Sequence, residues 1–273
     1  MAESVRAAIA AAAARFDFSQ TPRLDAELLM AHALGVPREH LLLRQLDDSE
    51  PLTFASMVDR RAGREPIAYI TGTRDFWTLS LAVGPGALIP RPDSETLIDA
   101  AIEHFTARAP ETILDLGTGP GTLLLAALSV WPSAHGVGVD DAADALSYAT
   151  RNARTLGYEG RAQFALGNWA DGIERRFDLV VSNPPYIGTN EVLPADVRDH
   201  EPAAALFAGP EGLDDYRVLA PQLPRLIAPG GAAVIEIGST QAPAVCELFV
   251  AQRLSVAIRR DLAGLDRCLV VTH

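Results

Sequence analysis

Lysine is absent from this sequence of 273 residues: all 23 basic side chains are arginine, against 35 acidic ones, and the formal net charge is −12. Without lysine, Schiff-base chemistry and lysine nucleophiles are excluded. The acidic balance also argues against broad nucleic-acid binding, because duplex binding usually needs a positive face. A local cluster of Arg60, Arg61 and Arg64 is explained at least as well by a solvated helix face.

Cysteine is scarce and histidine is scattered. Cys246 and Cys268 suggest no disulfide framework and no cysteine-based metal site. None of the six histidines has the HxxxH or HExxH spacing of a zinc site, so we expect a metal-free protein.

Long apolar runs are also missing. No stretch reaches the roughly 18 residues that span a bilayer, and residues 1–16 are alanine-rich but charged and patterned like a helix rather than a secretory signal. We therefore expect no membrane association and a cytoplasmic location.

The chain predicts a small helical domain followed by a linker. Within residues 1–72, Thr21-Pro22 is typical of a helix start, and Gly35 and Gly63 of helix ends, which predicts a bundle of about four helices. In residues 73–95 the spacing of the apolar residues changes from the period of a helix to that of a strand.

In this linker, Leu79, Leu81 and Val83 alternate with polar or small residues, and Gly84-Pro85-Gly86 is typical of a turn. The pattern predicts a β-hairpin that joins two domains.

Residues 96–273 alternate between strand and helix patterns, which predicts an α/β doubly wound sheet. The last two strands are close enough in sequence to pair as an antiparallel hairpin. The seven strands are expected at 111–116, 135–140, 161–166, 177–182, 231–237, 254–259 and 267–272.

A glycine-rich turn follows the first of these strands. The loop Gly117, Thr118, Gly119, Pro120, Gly121 has GxGxG spacing, which is neither the dinucleotide fingerprint nor a Walker A loop. Ligands of open α/β sheets bind outside the carboxyl ends of the strands. Asp140 ends the second strand, and an acid about 20 residues past such glycines can accept hydrogen bonds from both ribose hydroxyls. Together these residues predict a nucleoside site for an unphosphorylated ribose.

The third strand is followed by Asn168 and Trp169, an amide and an indole that suit the edge and the face of an adenine. A core tryptophan in a βα loop explains Trp169 equally well.

The fourth strand ends in Asn183-Pro184-Pro185-Tyr186. Because a residue before proline is pushed to extended geometry, Asn183 and Pro184 are both held extended. The Asn183 side-chain oxygen and the Pro184 carbonyl then form a rigid pair of acceptors that fits a planar NH2 group, with the Tyr186 ring beside it. A proline-rich turn is the plain alternative, and the nearby nucleoside motif makes it the weaker one.

"DLGTGPG", Asp140 and "NPPY" together resemble class I methyltransferases that use S-adenosylmethionine to methylate a planar amino group. Four further stretches resemble the peptide chain release factor glutamine N5-methyltransferase family: "REPIAYITGTRDFW", "LIPRPDSETL", "HEPAAALFAGPEGLDDYR" and "IEIGSTQ…DLAGLDRCLVV". The resemblance covers nearly the whole chain. Three positions depart from the usual pattern of that family. Pro120 stands where the family usually has Thr or Ser, Ser94 stands where it usually has Thr, and Asn168 stands where it usually has Asp.

The resemblance implies a seven-stranded methyltransferase sheet and methyl transfer to the glutamine of the GGQ motif in class I release factors, with S-adenosylhomocysteine as product. It implies that residues 1–72 recognise the protein substrate and that residues 96–273 are the methyltransferase domain. The implied cofactor-binding residues are Gly117, Thr118, Gly119, Pro120, Gly121, Asp140, Trp169 and Asn183. The implied catalytic residues are Asn183, Pro184 and Tyr186, and these together with Pro185 would bind the substrate glutamine.

Three alternatives remain open. A ribosomal-protein glutamine methyltransferase would share the NPPY loop and much of the C-terminal domain. An adenine-N6 nucleic-acid methyltransferase would share the loop, but the sequence pI near 4.9 disfavours it. A non-catalytic S-adenosylmethionine-binding module would not need an intact NPPY loop.

Overall fold

The computed structural model describes residues 3–273. Within this range no helix is long and apolar enough to cross a membrane. The helices are α1 (Val5–Ala13), α2 (Pro22–Leu34), α3 (Arg38–Arg44), α4 (Phe54–Ala62), α5 (Ile67–Thr71), α6 (Glu95–His104), α7 (Thr122–Val130), α8 (Ala143–Thr155), α9 (Ala195–Arg198), α10 (Asp214–Leu219), α11 (Leu223–Leu226) and α12 (Ala242–Val250). The strands are β1 (Thr73–Phe76), β2 (Leu79–Ala82), β3 (Thr112–Leu116), β4 (His135–Asp140), β5 (Ala162–Leu166), β6 (Phe177–Ser182), β7 (Ile227–Glu236), β8 (Ser255–Arg260) and β9 (Asp266–Thr272).

The chain divides into two compact units. The first comprises residues 1–73 and 193–200, and the second comprises residues 74–192 and 201–273. The sequence pattern did not indicate that 193–200, far along the chain, would belong with the N-terminal helices.

The first unit is helical, with its own apolar core of Phe16, Leu29, Met30 and other side chains between residues 5 and 70. Helix α2 begins at Pro22 and ends at Gly35, whose φ of 67° is the left-handed cap that glycine adopts without strain. Arg61 and Asp25 form an ion pair at 2.9 Å in this unit, and both side chains are buried.

The predicted hairpin is present but shorter than expected. Strands β1 and β2 pair as a separate two-stranded sheet, and the chain reverses at Trp77, whose φ is 57°. The predicted turn at Gly84-Pro85-Gly86 instead lies beyond β2. Pro85 and Pro90 each lack the backbone donor that a further strand would need, so this segment stays irregular.

The predicted seven-stranded α/β sheet is confirmed. Its strand order is β5-β4-β3-β6-β7-β9-β8. The five strands β3 to β7 run parallel, and β9 pairs antiparallel with both β7 and β8. The order reverses between β3 and β6, which places their carboxyl ends at the switch point where such sheets bind ligands.

Apolar side chains cover both faces of this sheet. One cluster joins helices α6 and α7 to the sheet through residues such as Leu97, Leu124 and Leu179. A second cluster holds Tyr216, Ile235 and Phe249 on the other side. Since both faces are buried, the inner strands read as continuous apolar runs rather than alternating ones.

Candidate functional site

A cavity of about 260 Å³ opens at the carboxyl ends of β3, β4, β5 and β6. This volume is near the lower end of typical small-molecule sites, about 300–1,000 Å³. Most of the predicted site residues line it: Gly117, Thr118, Gly119, Pro120, Asp140, Asn168, Trp169, Asn183 and Pro185. Gly121, Pro184 and Tyr186 are not part of this wall.

The glycine loop brings backbone to the cavity surface. Gly117 and Gly119 have φ of 71° and 56°, so side chains there would be strained. A Cβ atom on Gly117 would also lie 3.4 Å from the Trp169 ring. Gly121 has a different role: a Cβ there would meet Leu125 at 3.0 Å, so this glycine permits the close packing of α7.

Asp115, at the end of β3, is a site residue that the sequence motifs did not single out. It lines the cavity and is only 1% exposed. Its Oδ2 accepts hydrogen bonds from Thr118 Oγ1 at 2.7 Å and from Leu124 N at 3.1 Å. Its Oδ1 is buried and has no hydrogen-bond partner within residues 3–273. Burial raises the pKa of this carboxyl to about 7, although those two hydrogen bonds act to lower it.

Asp140 ends β4 and is half-buried in the same wall. Its Oδ2 accepts from Gly119 N at 2.7 Å and its Oδ1 from Ala142 N at 2.9 Å. Burial raises the pKa of Asp140, and the two backbone donors counteract part of that rise. A carboxylate oxygen has a second lone pair, so each oxygen can still accept from a ligand.

Trp169 follows β5 with a φ of 48°, an outlier for a bulky residue. Such strain persists only where the surroundings enforce it, and it is common at functional sites. Asp215 is a second cavity residue that sequence reasoning missed. Burial raises the pKa of its carboxyl overall, although the nearby Trp169 side chain acts to lower it. Asn168 lies beside Trp169 in the wall.

The Asn183–Tyr186 loop leaves β6 at the far side of the cavity. Asn183 Nδ2 donates to Ser94 Oγ at 3.3 Å. Pro184 is buried, and the hydroxyl of the half-buried Tyr186 donates to Glu236 Oε1 at 3.3 Å. Burial, with the negative charge of Glu236 beside it, raises the pKa of Tyr186, so this hydroxyl stays protonated at neutral pH.

The segment after β2 forms another part of the wall through Leu88, Pro90, Arg91 and Ser94. The buried Glu201 holds this segment: its Oε1 contacts Arg91 Nη2 at 2.5 Å and its Oε2 accepts from Ile89 N at 3.0 Å. The signals for these residues were present in the "RPDSE" and "HEPAAAL" stretches, but nothing local in the sequence indicated that the two would meet.

Both parts of the chain match known family models. The model described as PrmC N-terminal domain matches residues 7–72, and the one described as Methyltransferase domain matches residues 108–258. Among solved structures, a methyltransferase from Pyrococcus furiosus superimposes with a TM-score of 0.54 at 19% identity, covering 71% of this chain and 88% of that one. At this identity the superposition shows the fold alone.

Curated relatives match over most of the chain. The release factor glutamine methyltransferase of Rhodospirillum rubrum is 44% identical over 257 residues, which are 92% of this chain and 79% of that protein. The protein of the same name from Caulobacter vibrioides is 41% identical over 91% of this chain and 89% of its own length. With this identity across both units, the chain belongs to the release factor glutamine methyltransferase family.

Proposed function

We propose that this protein transfers a methyl group from S-adenosylmethionine to the side-chain amide nitrogen of a glutamine in class I peptide chain release factors. The observation that carries the proposal is the Asn183 amide, whose nitrogen is held by Ser94 while the residue lines the cavity. The oxygen and nitrogen of a planar amide lie on opposite sides, so the Asn183 oxygen is left to accept an N–H of a ligand. The relatives' name supplies the substrate class.

The residues of the cavity fit an S-adenosylmethionine donor. The buried, unpartnered Asp115 Oδ1 would be satisfied by a cationic or N–H group of the ligand. We infer that Asp140 holds the ribose hydroxyls, that Asn168 and Trp169 hold the adenine, and that the 117–121 loop lets backbone approach the ligand. When bound, S-adenosylmethionine supplies a methyl group on a positively charged sulfur.

The residues of the site must bind and orient the amide nitrogen of the substrate glutamine, which reacts poorly by itself. An amide nitrogen is a poor nucleophile because its lone pair is delocalised into the carbonyl. The Asn183 oxygen and the Pro184 carbonyl would accept its two N–H bonds and orient it, so that positioning and fixed dipoles supply the acceleration. Tyr186, kept neutral by its raised pKa, would offer its ring and not a base. The proton can leave after methyl transfer, when the nitrogen is acidic.

We infer that the helical unit recognises the protein substrate, because residues 7–72 match a domain model separate from that of the methyltransferase domain, which matches residues 108–258. We propose that the reaction needs no metal. Among residues 3–273, no group of three or more His, Cys, Asp or Glu side chains is placed to hold one.

Transfer of a labelled methyl group tests the function. Purified release factor, a mixture of ribosomal proteins and duplex DNA would each be incubated with the protein and labelled S-adenosylmethionine. We expect label on the release factor, with mass spectrometry locating it on the glutamine of the GGQ motif. Label on ribosomal proteins or on DNA alone would favour the corresponding alternative, and binding of S-adenosylmethionine without transfer would indicate a non-catalytic module.

A further inference from the structure

A buried asparagine lies behind the glycine loop. Asn152 belongs to α8 and is only 2% exposed. Its Oδ1 accepts from Ala82 N at 2.7 Å, and its Nδ2 donates to Ala82 O at 3.0 Å and to Pro120 O at 2.9 Å. The wall of the cavity includes Pro120 but not Asn152. Both N–H groups and the oxygen of this side chain are therefore used on main-chain groups from two distant segments.

The orientation of this amide is fixed by the main chain. A backbone N–H only donates and a carbonyl only accepts, so Ala82 sets which side of the Asn152 amide carries the oxygen. The second Nδ2 hydrogen then reaches Pro120 O. A carboxylate of the same shape would have no hydrogen for either carbonyl. The position therefore needs an amide, and not just any polar side chain of this size.

The Pro120 carbonyl needs such a donor. Pro120 is buried and lies two residues before the start of α7. In a continuous helix Leu124 N would donate to this carbonyl, but it donates instead to Asp115 Oδ2 at 3.1 Å. Because a buried carbonyl without a partner is costly, Asn152 supplies the hydrogen bond that the helix does not.

The same face of α8 contacts the segment that follows β2. Tyr148 and Asp144 lie about one and two helical turns before Asn152. Gly84 packs so closely on Tyr148 that a Cβ atom there would collide with the hydroxyl. A Cβ atom on Gly86 would lie 3.0 Å from Asp144 Cβ, and Gly86 itself lines the cavity. One helix face therefore supports two parts of the cavity wall, the glycine loop and the segment after β2.

We propose that Asn152 is a positioning residue for the cofactor. It ties the glycine loop to the end of β2, so that both parts of the wall are in place before S-adenosylmethionine binds. The proposal rests on the proposed function for the identity of the cofactor. Its physical basis is preorganisation, because a ligand that must first order a loop binds more weakly than one that meets an ordered loop. Asn152 thus strengthens binding through Pro120 O.

Substitutions at Asn152 test the proposal through binding. In Asn152→Ala the affinities for S-adenosylmethionine and S-adenosylhomocysteine, measured by calorimetry, should both fall about five- to thirtyfold. Asn152→Asp keeps the acceptor for Ala82 N but turns a second acceptor toward the two carbonyls. It should therefore bind no more tightly than Asn152→Ala.

Asp178→Ala is the matched control. It also removes three hydrogen bonds, those that Asp178 Oδ2 accepts from Glu111 N, Thr112 N and Thr112 Oγ1. These lie near the amino-terminal ends of β3 and β6, away from the cavity. Asp178→Ala should lower the free energy of unfolding but leave both affinities within about twofold, since distant sites act independently.

Hydrogen exchange gives a readout in the protein without ligand. In Asn152→Ala, peptides that cover residues 79–90 and 117–123 should exchange at least about fivefold faster, because local opening becomes easier where contacts are lost. Peptides that cover β9 should be unchanged. In Asp178→Ala the faster exchange should appear around residues 109–114 instead.

Kinetics separates this role from a part in the chemistry. In Asn152→Ala the KM for S-adenosylmethionine should rise about five- to thirtyfold, while kcat at saturating S-adenosylmethionine stays within about threefold. This is the pattern of binding lost equally in the ground state and the transition state. A general loss of folded enzyme would instead lower kcat and leave KM unchanged.

Gly84 gives a second test that leaves Asn152 intact, and it applies even if Asn152→Ala does not fold. Gly84→Ala should displace the segment after β2 from α8 and weaken S-adenosylmethionine binding at least about threefold. Adding Tyr148→Phe removes the hydroxyl that the new methyl group meets first, and part of the affinity should return. Tyr148→Phe alone, which removes the same hydroxyl without the methyl group, is the control.

Several results would overturn the proposal. They are unchanged affinity in Asn152→Ala, an equal loss of affinity in Asp178→Ala, a fall in kcat with KM unchanged, or unchanged affinity in Gly84→Ala. If the unmodified protein binds S-adenosylmethionine but methylates no release factor, the proposed function fails while calorimetry and hydrogen exchange still decide the role of Asn152. If it does not bind S-adenosylmethionine, both fail.

Discussion

Asp115 is an acid whose burial works against the stability of the fold. Its folded-state pKa of about 7 lies above the usual 3.8, because burial penalises the ionised form. Its protonated form therefore stabilises the fold. That stability is fully present below about pH 4 and is lost progressively as the pH rises to about 7. A site that must hold a cationic ligand gains from the same unpartnered charge.

Asp115→Asn should therefore stabilise the cofactor-free protein above pH 7, with a gain that shrinks as the pH falls toward 4. Denaturant unfolding at pH 8, 6.5 and 5 would measure this. The same variant should bind S-adenosylmethionine at least about tenfold more weakly in calorimetry, since a hydrogen bond to a charged group contributes about 1.5–3 kcal/mol.

Asp171→Asn, at an exposed acid after the Trp169 loop, is the control for loss of one negative charge. A stability change in Asp115→Asn that is the same at every pH would contradict the role of ionisation.

Asp140→Ala should weaken S-adenosylmethionine binding at least about tenfold, because it removes the oxygens assigned to the ribose and also those that hold Gly119 N and Ala142 N. Asp140→Asn keeps one oxygen and should lose less. Calorimetric titration of both, with the exposed Glu159→Ala as control, distinguishes the effects. Unchanged affinity in Asp140→Ala would remove the ribose assignment.

At the level of secondary structure, three segments meet behind the loop that follows β6. Gln241, just before α12, donates from Nε2 to Tyr186 O at 2.9 Å and to Gly212 O at 3.2 Å, and its Oε1 accepts from Gly238 N at 3.0 Å. Gly212 allows this approach: its φ is 70°, and a Cβ there would lie only 2.1 Å from Tyr186 O. The loop is thus held by side-chain and backbone contacts from a distant helix start.

Gln241→Ala should lower the free energy of unfolding by about 1–3 kcal/mol, because it leaves backbone groups without partners. It should also reduce turnover more than cofactor affinity, since the contacts lie on the loop and not on the cofactor wall. Gln241→Glu keeps an acceptor for Gly238 N but places a second acceptor against the Tyr186 carbonyl, so it should not restore turnover.

Thermal unfolding and steady-state kinetics would measure both effects, with the exposed strand residue Gln163→Ala as control. Normal turnover in Gln241→Glu would show that Gln241 does not hold the loop by donating to Tyr186 O.

For the chain taken together, the two units have separate apolar cores. The clusters of the sheet draw on residues 76–271, and the cluster of the helical unit on residues 5–70. A variant that starts at Arg74 should therefore retain its sheet and its affinity for S-adenosylmethionine. It should still methylate a short glutamine-bearing peptide but lose at least about tenfold in kcat/KM on the intact release factor, if recognition of the protein substrate lies in the helical unit.

The peptide serves as the internal control, since damage to the methyltransferase unit would impair both substrates. Methylation of the intact factor at the rate of the complete chain would show that residues 1–73 are not needed for recognition.

The local sequence was sufficient to predict the type and the approximate bounds of most helices and strands. All seven strands of the sheet lie within a few residues of the expected positions, because buried parallel strands and glycine-rich turns leave patterns that depend only on near neighbours. For the same reason the 117–121 loop, Asp140, Asn168 and Asn183 could be placed at one edge of the sheet from the order of strands and turns along the chain.

What the sequence could not supply is which side chains meet across long separations. Ser94 and Asn183 are 89 residues apart, Arg91 and Glu201 are 110 apart, and Gln241 and Tyr186 are 55 apart. The sequence also did not indicate that β9 lies between β7 and β8, or that Asp115 and Glu236 are buried. Partner, burial and pKa depend on how packed layers exclude water, and that packing is settled only when distant segments come together.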